Sequence, residues 1–214
     1  MPSIIETTVY QIDELSDTAK EQARSWYREN GMDYSWWDFI YDDFEEVCKI
    51  LGISIETKKV PLMGGGTRLT PSIYFSGFWN QGDGACFAGR YSYAPGSAKS
   101  IRSYASQDEK LHSIADTLQT VQKRNFYQLH ASISHQGRYC HEYSMSISVE
   151  RDSDNYQEVP SSDEGIVIEQ LRELARWLYR RLDEEYEHLT SDEAIDDTMR
   201  SNEYTFTATG YRFG

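Results

Sequence analysis

Along this chain the spacing of apolar residues switches from three and four to two and back again, and that switching limits the fold more than any other feature. Leu15, Ala19, Ala23 and Trp26/Tyr27 follow helical spacing behind Ser16, a side chain suited to capping a first turn. A second helix is expected over 34–51, with Trp37, Ile40, Phe44, Val47 and Leu51 as its apolar stripe and Gly52 as its stop. The period then becomes two. Strands are expected at 5–11, 53–60, 68–79 and 85–93, the last two flanking Asn80-Gln81-Gly82-Asp83-Gly84 as a hairpin turn. Setting Trp79 against Ala85 places Gly77 opposite Phe87 and Phe75 opposite Gly89, so that aromatics cover bare strand positions.

Helical spacing returns over 97–103 and behind the Ser106-Gln107-Asp108-Glu109 capping box, whose helix carries Leu111, Ile114, Leu118 and Val121. A second hairpin pairs Leu129 with Met145, Ala131 with Tyr143 and Ile133 with His141, gathering the apolar side chains on one face. After an acidic loop over 151–164, the longest helix carries Ile168, Leu171, Ala175, Leu178, Leu182 and Leu189. Thr190-Ser191-Asp192-Glu193 opens a final helix, and 204–209 is expected as a closing strand. This order predicts a single α+β domain over 1–214, with a mostly antiparallel sheet of about six or seven strands and helices packed mainly on one face.

Charge narrows the partners. The chain carries 35 acidic and 21 basic side chains, a net charge of -14. Residues 29–48 hold seven acids and no Lys or Arg, and 150–203 hold 17 acids against 6 bases, whereas 49–128 hold ten bases and five acids. Binding a phosphate backbone needs clustered cations that release counterions, so direct nucleic-acid binding is not expected and contact with a basic surface is. Two sets of carboxylates are candidates for that contact: Asp38, Asp42, Glu45 and Glu46 on the second helix, and Asp183, Glu184 and Glu187 on the longest one. The first set lies within two turns, a spacing that could hold Mg²⁺, but a solvated helix face has the same pattern and no second cluster matches it.

No apolar run approaches the roughly 18 residues of a membrane span, and Met1-Pro2-Ser3-Ile4-Ile5-Glu6 has no basic segment leading an apolar one. A cytoplasmic protein without membrane contact is therefore expected. Cys48, Cys86 and Cys140 are an odd count without a metal-site spacing, which points to reduced thiols. His130, His135 and His141 with Cys140 invite a zinc reading. In the hairpin register above, however, His130 and Cys140 fall on the polar face and His141 on the apolar one, so these ligands would point apart. The same geometry sets aside a Cys140/His141 nucleophile pair. Met63-Gly64-Gly65-Gly66 lacks the Lys-Ser/Thr ending of a phosphate loop. No catalytic residue, metal or cofactor is expected.

Phe78, Trp79, Asn80, Gln81 and Asp83 form the candidate binding loop. Five turn residues with two glycines exceed what a tight hairpin needs, and aromatics at the base with polar groups at the tip are the mix found in interface hot spots.

Three stretches stand out together: Tyr10 to Lys20 with Trp26-Tyr27, Ile73 to Ala85 containing Ser76-Gly77-Phe78-Trp79-Asn80-Gln81-Gly82-Asp83-Gly84, and Leu189 to Ala194. They resemble an uncharacterised family of phage and prophage genomes, sometimes labelled "antitoxin of a toxin–antitoxin stability system", and the resemblance covers nearly the whole chain. It implies an accessory protein of a phage or mobile element and carries over no catalytic residues. Joined to the charge pattern, it leads to the expectation of an acidic binding protein, monomer or dimer. Such a protein would inhibit a host nucleic-acid-handling defence complex, a protein or ribonucleoprotein with a basic surface, by protein–protein contact in the manner of an anti-CRISPR. The alternatives are an antitoxin-like neutraliser of a basic partner, and a small-ligand-binding domain or enzyme using the 79–84 loop.

Overall fold

Several helices begin behind a side chain that accepts a first-turn amide in the computed structural model, which describes residues 6–153 and 158–214. In chain order, α1 (Asp17–Asn30) and α2 (Asp38–Leu51) lead into β1 (Ile53–Ile55), β2 (Thr57–Pro61), β3 (Thr67–Pro71) and β4 (Ile73–Ser76). β5 (Gly84–Phe87) and β6 (Gly89–Ser92) precede α3 (Ser97–Tyr104) and α4 (Glu109–Arg124). β7 (Leu129–His135) and β8 (Met145–Arg151) are followed by α5 (Ser161–Thr190) and α6 (Asp192–Ser201). Ser16 accepts the Ala19 amide at 3.4 Å and Ser191 the Ala194 amide at 3.3 Å. At α4 the cap is Asp108, which accepts the Leu111 amide at 2.9 Å, and not Ser106 two residues earlier.

The chain divides into two units, Met1–Trp37 with Asp183–Gly214, and Asp38–Leu182, and α5 supplies residues to both. In the first, Ile12, Leu15, Ala19, Ala23, Ile195, Met199 and Phe206 form a small core, with Tyr10, Trp26, Tyr27 and Tyr204 packed against it. The expected strands at the two ends reduce to single bridges, Tyr10 with Phe206 and Phe206 with Arg212, among the described residues. Gly210 closes the C-terminal segment over α1: its φ is +85°, and a Cβ there would stand 2.1 Å from the Ala19 carbonyl oxygen.

The second unit is built on a four-stranded antiparallel sheet, β1-β6-β7-β8, and two antiparallel ribbons, β2-β3 and β4-β5. Phe44 of α2 packs on Phe87 (ring centroids 5.3 Å apart) and on Trp177 of α5 (6.3 Å). Ile101, Leu111, Ile114, Val121, Leu171, Leu174 and Leu178 are fully buried. The chain is thus α+β with antiparallel pairing, the eight strands among its described residues distributed over three sheets.

The three sheets meet at three residues. Glu56 donates its amide to the Ala88 carbonyl (2.9 Å), Ala88 to the Ser72 carbonyl (2.9 Å) and Ser72 to the Glu56 carbonyl (2.7 Å), a closed ring of backbone bonds. Each of the strands read as continuous over 53–60, 68–79 and 85–93 changes partner at this ring. The 73–87 ribbon consequently pairs Ile73 with Phe87 and Phe75 with Ala85, so the aromatic-over-glycine register does not form and Gly89 lies instead between Ile55 and Ile133. The second hairpin pairs Leu129 with Arg151, Ile133 with Ile147 and His135 with Met145, six residues away from the expected register. An even offset keeps the apolar face, so alternation fixes which side of the sheet a residue occupies and leaves the offset open. Helix α2 begins at Asp38, four residues later than the periodicity suggests.

Candidate functional site

The expected loop occupies residues 77–83 between β4 and β5 and divides into an anchor and a tip. Phe78 is buried and stacks on Tyr179 (5.6 Å, 28° between planes), with Phe75 5.9 Å away. Trp79 is 74% exposed and holds a φ of 72°, a conformation that costs a bulky residue energy. Asn80 and Gln81 are exposed. Asp83 folds back to accept the Asn80 amide at 2.8 Å and returns its own amide to the Asn80 carbonyl at 3.1 Å, which closes the turn. Trp79, Asn80 and Gln81 thus form the accessible tip, while Phe78 and Asp83 hold it.

The two acidic sets lie in different units. Asp38 and Asp42 are exposed on α2, with Glu45 and Glu46 half-buried. Asp42, Glu45, Glu46 and Lys49 line a groove of about 590 Å³ with residues 52–55. Glu46 pairs with Lys49 at 3.2 Å, and burial followed by the charge of Asp42 raises the Glu45 pKa. In the first unit Glu184 and Glu187 are exposed, whereas Asp183 is half-buried and its Oδ1 is buried with no hydrogen-bond donor among the described residues.

That first unit carries sixteen acids and five bases, -11 of the total -14. Three of its arginines are held within it. Arg24 forms a two-pronged contact with Asp196 (2.8 and 2.6 Å) and reaches Asp192 (2.8 Å). Arg28 contacts Asp192 and Glu21, and Arg200 grips Asp13 through two 2.8 Å bonds. Arg212 lies over the Tyr204 and Trp26 rings, 4.2 and 4.9 Å from their centroids. Glu29, Glu187 and Glu193 remain exposed and make no ion pair among the described residues.

Two groupings escape the sequence patterns. In the first unit Trp36 lies 5.6 Å from Trp37 and 5.7 Å from Tyr186, and Tyr34, 87% exposed, lies 5.7 Å from Trp37. The Tyr34-Ser35-Trp36-Trp37 run signals this cluster, once it is read as preceding α2 and not as its first turn. In the second unit Cys86, His135 and Cys140 converge, and their ligand atoms all lie within 4.8 Å of one another. The assumed hairpin register hid this set, because it put Cys140 and His141 on a strand that the structure ends at His135 and resumes at Met145.

Among the described residues no helix is long and apolar enough to cross a membrane. Compared with known proteins, residues 36–192 match the family model described as a domain of unknown function, DUF8835. No curated protein matches the chain. No solved structure matches it either.

Proposed function

The chain belongs to the DUF8835 family, and we propose that it is an acidic binding protein which occupies a basic surface on a partner. In the phage setting that the sequence resemblance implies, that partner is a host nucleic-acid-handling defence complex in the cytoplasm, and the outcome is inhibition by protein–protein contact. One observation carries the reading: the unit formed by residues 1–37 and 183–214 holds -11 of the net charge beside the Tyr34/Trp36/Trp37/Tyr186 cluster. Internal pairing takes up Arg24, Arg28 and Arg200, so the excess of carboxylates faces outward as a field for Lys and Arg. The exposed Tyr34 and the half-buried Trp36 and Trp37 beside it supply the apolar contact that interface cores favour and charge alone does not. The 79–81 tip offers a second point of contact on the other unit.

Affinity capture from host cells, read by mass spectrometry, identifies the partner, and the purified pair then tests the mechanism. Reversing Glu29, Glu187 and Glu193 to Lys should weaken binding at least about tenfold, roughly 1.4 kcal/mol, and leave the circular dichroism spectrum unchanged. The wild-type affinity should fall as salt rises. Binding indifferent to both salt and charge reversal would refute electrostatic docking.

A further inference from the structure

We propose that Cys86, His135 and Cys140 form a Zn²⁺ site with one coordination position left for water or another exogenous ligand. The three come from separate places: Cys86 from β5, His135 from the end of β7, and Cys140 from the connection to β8. Their ligand atoms lie within 4.8 Å of one another, and among the described residues no fourth Cys, His, Asp or Glu joins the group. Thiolate and imidazole ligands at about 2.3 and 2.0 Å from a tetrahedral ion stand roughly 3.5–3.8 Å apart, so rotations of the side chains suffice to close the set. Two sulfurs and an imidazole select Zn²⁺ over Mg²⁺ or Ca²⁺, which prefer oxygen.

The backbone around the set is fixed in ways that a chance meeting of side chains would not require. Ser76 donates its hydroxyl to the Cys140 carbonyl at 3.3 Å, tying the connection to β4. Gly84 lies beneath it: a Cβ there would come within 2.6 Å of the His141 Cβ and 3.1 Å of the Cys140 carbonyl oxygen, so the close approach needs the bare residue. The Ser144 hydroxyl stands 3.2 Å from His135 Nδ1, bonds the Cys86 thiol, and is itself held by the His141 carbonyl at 2.7 Å. Tyr74 packs on the His135 ring, with centroids 5.3 Å apart. Ser144 and Tyr74 thus orient two of the three ligands, as outer-shell groups do around a metal.

Without a cation, burial pushes the Cys86 thiol up to about 12. Binding would transfer two thiol protons to solvent while the imidazole gives its lone pair, with no change of oxidation state.

The probe is Co²⁺ itself, titrated into the reduced, chelator-stripped full chain. One equivalent should bind with intense d–d bands of a tetrahedral ion and a thiolate-to-cobalt charge-transfer band, and Zn²⁺ should abolish both. Loss of an outer-shell partner alone costs metal sites about 10–100-fold, so Cys140→Ser and His135→Asn should each weaken binding by more than tenfold. Cys48→Ser, which removes a buried thiol of α2, should bind Co²⁺ like wild type. Cys140 is only half-buried, and its substitution is checked for folding by circular dichroism, with His135→Asn as the second reading. A folded, reduced wild-type chain that develops no charge-transfer band overturns the proposal, as does a band that survives Cys140→Ser. A Cys86–Cys140 disulfide found by mass in the isolated protein, together with no Co²⁺ uptake after reduction, overturns it in favour of a redox pair.

Discussion

The two units solve the problem of stability with different materials. The unit of residues 38–182 has three antiparallel sheets, a broad apolar core and nineteen acids against sixteen bases. The unit of residues 1–37 and 183–214 has no sheet among its described residues, seven buried apolar side chains as its core and an excess of eleven acids. Where burial is scarce, arginines bind the helices together: Arg24 joins α1 to α6 and Arg200 joins α6 to the segment before α1. The difference teaches that a unit with a strong excess of acids can use part of that charge internally, to fix the helices that carry it.

The largest effects should come from the cores. Phe206 is fully buried at the centre of the small core, and Phe206→Ala should cost about 3–5 kcal/mol. Leu178→Ala, in the larger core, should cost about 2–5 kcal/mol, through lost transfer energy and the cavity left behind. Hydrogen exchange then sharpens the contrast: Phe206→Ala should expose α1 and α6 amides before those of β6 and β7. A loss below about 0.5 kcal/mol at either position would mean that the side chain does not hold the unit assigned to it.

Arg24→Met tests whether charge replaces burial in the smaller unit. Its guanidinium and the Asp196 carboxylate are only 19% and 18% exposed, so removing the cation strands a partly buried carboxylate. Denaturant midpoints should report a loss of about 1–3 kcal/mol. A neutral result would reduce the arginine contacts to solvated surface pairs.

Much of the fold is legible in the sequence because helices announce themselves twice, by stripe and by cap. The stripe residues Ile40, Phe44, Val47 and Leu51 are all buried, as are Leu111, Ile114, Leu118 and Val121. Strands announce only their faces. The ring of Glu56, Ser72 and Ala88 is made of backbone bonds, to which side-chain pattern is blind, so three bent strands look like three straight ones. Sites follow the same division. The acidic helix faces can be read from charge and period, but Cys86, His135 and Cys140 meet through a nine-residue connection, 136–144, that a tighter hairpin register conceals.

The loop of the larger unit offers a smaller contrast. Asp83 closes its turn by accepting the Asn80 amide, while Gln81 is exposed at the tip. Asp83→Ala should therefore lower stability by about 0.5–1.5 kcal/mol, and Gln81→Ala should stay within about 0.5 kcal/mol. Equal losses on thermal melting would mean that the tip, too, is part of the scaffold.

The smallest expected effect tells two carboxylates, one from each unit, apart by sign. Glu45 lies on the larger unit, where burial and then the charge of Asp42 raise its pKa. Its ionised form is disfavoured by folding, so the penalty is present above the folded pKa and vanishes below the unfolded one, about 4.3. Glu45→Gln should raise stability slightly at neutral pH, and the gain should disappear as pH falls through the carboxylate range. Asp13, on the smaller unit, behaves oppositely: the hydrogen bond from Arg200 lowers its pKa, so its contribution is present above the unfolded value and is lost as pH falls through the folded one. Asp13→Asn should accordingly lower stability at neutral pH and have little effect in acid. Melting curves of both variants across the carboxylate range should approach wild type on acidification from opposite sides. If both approached from the same side, the contrast between a carboxylate disfavoured by burial and one held by a paired cation would fail.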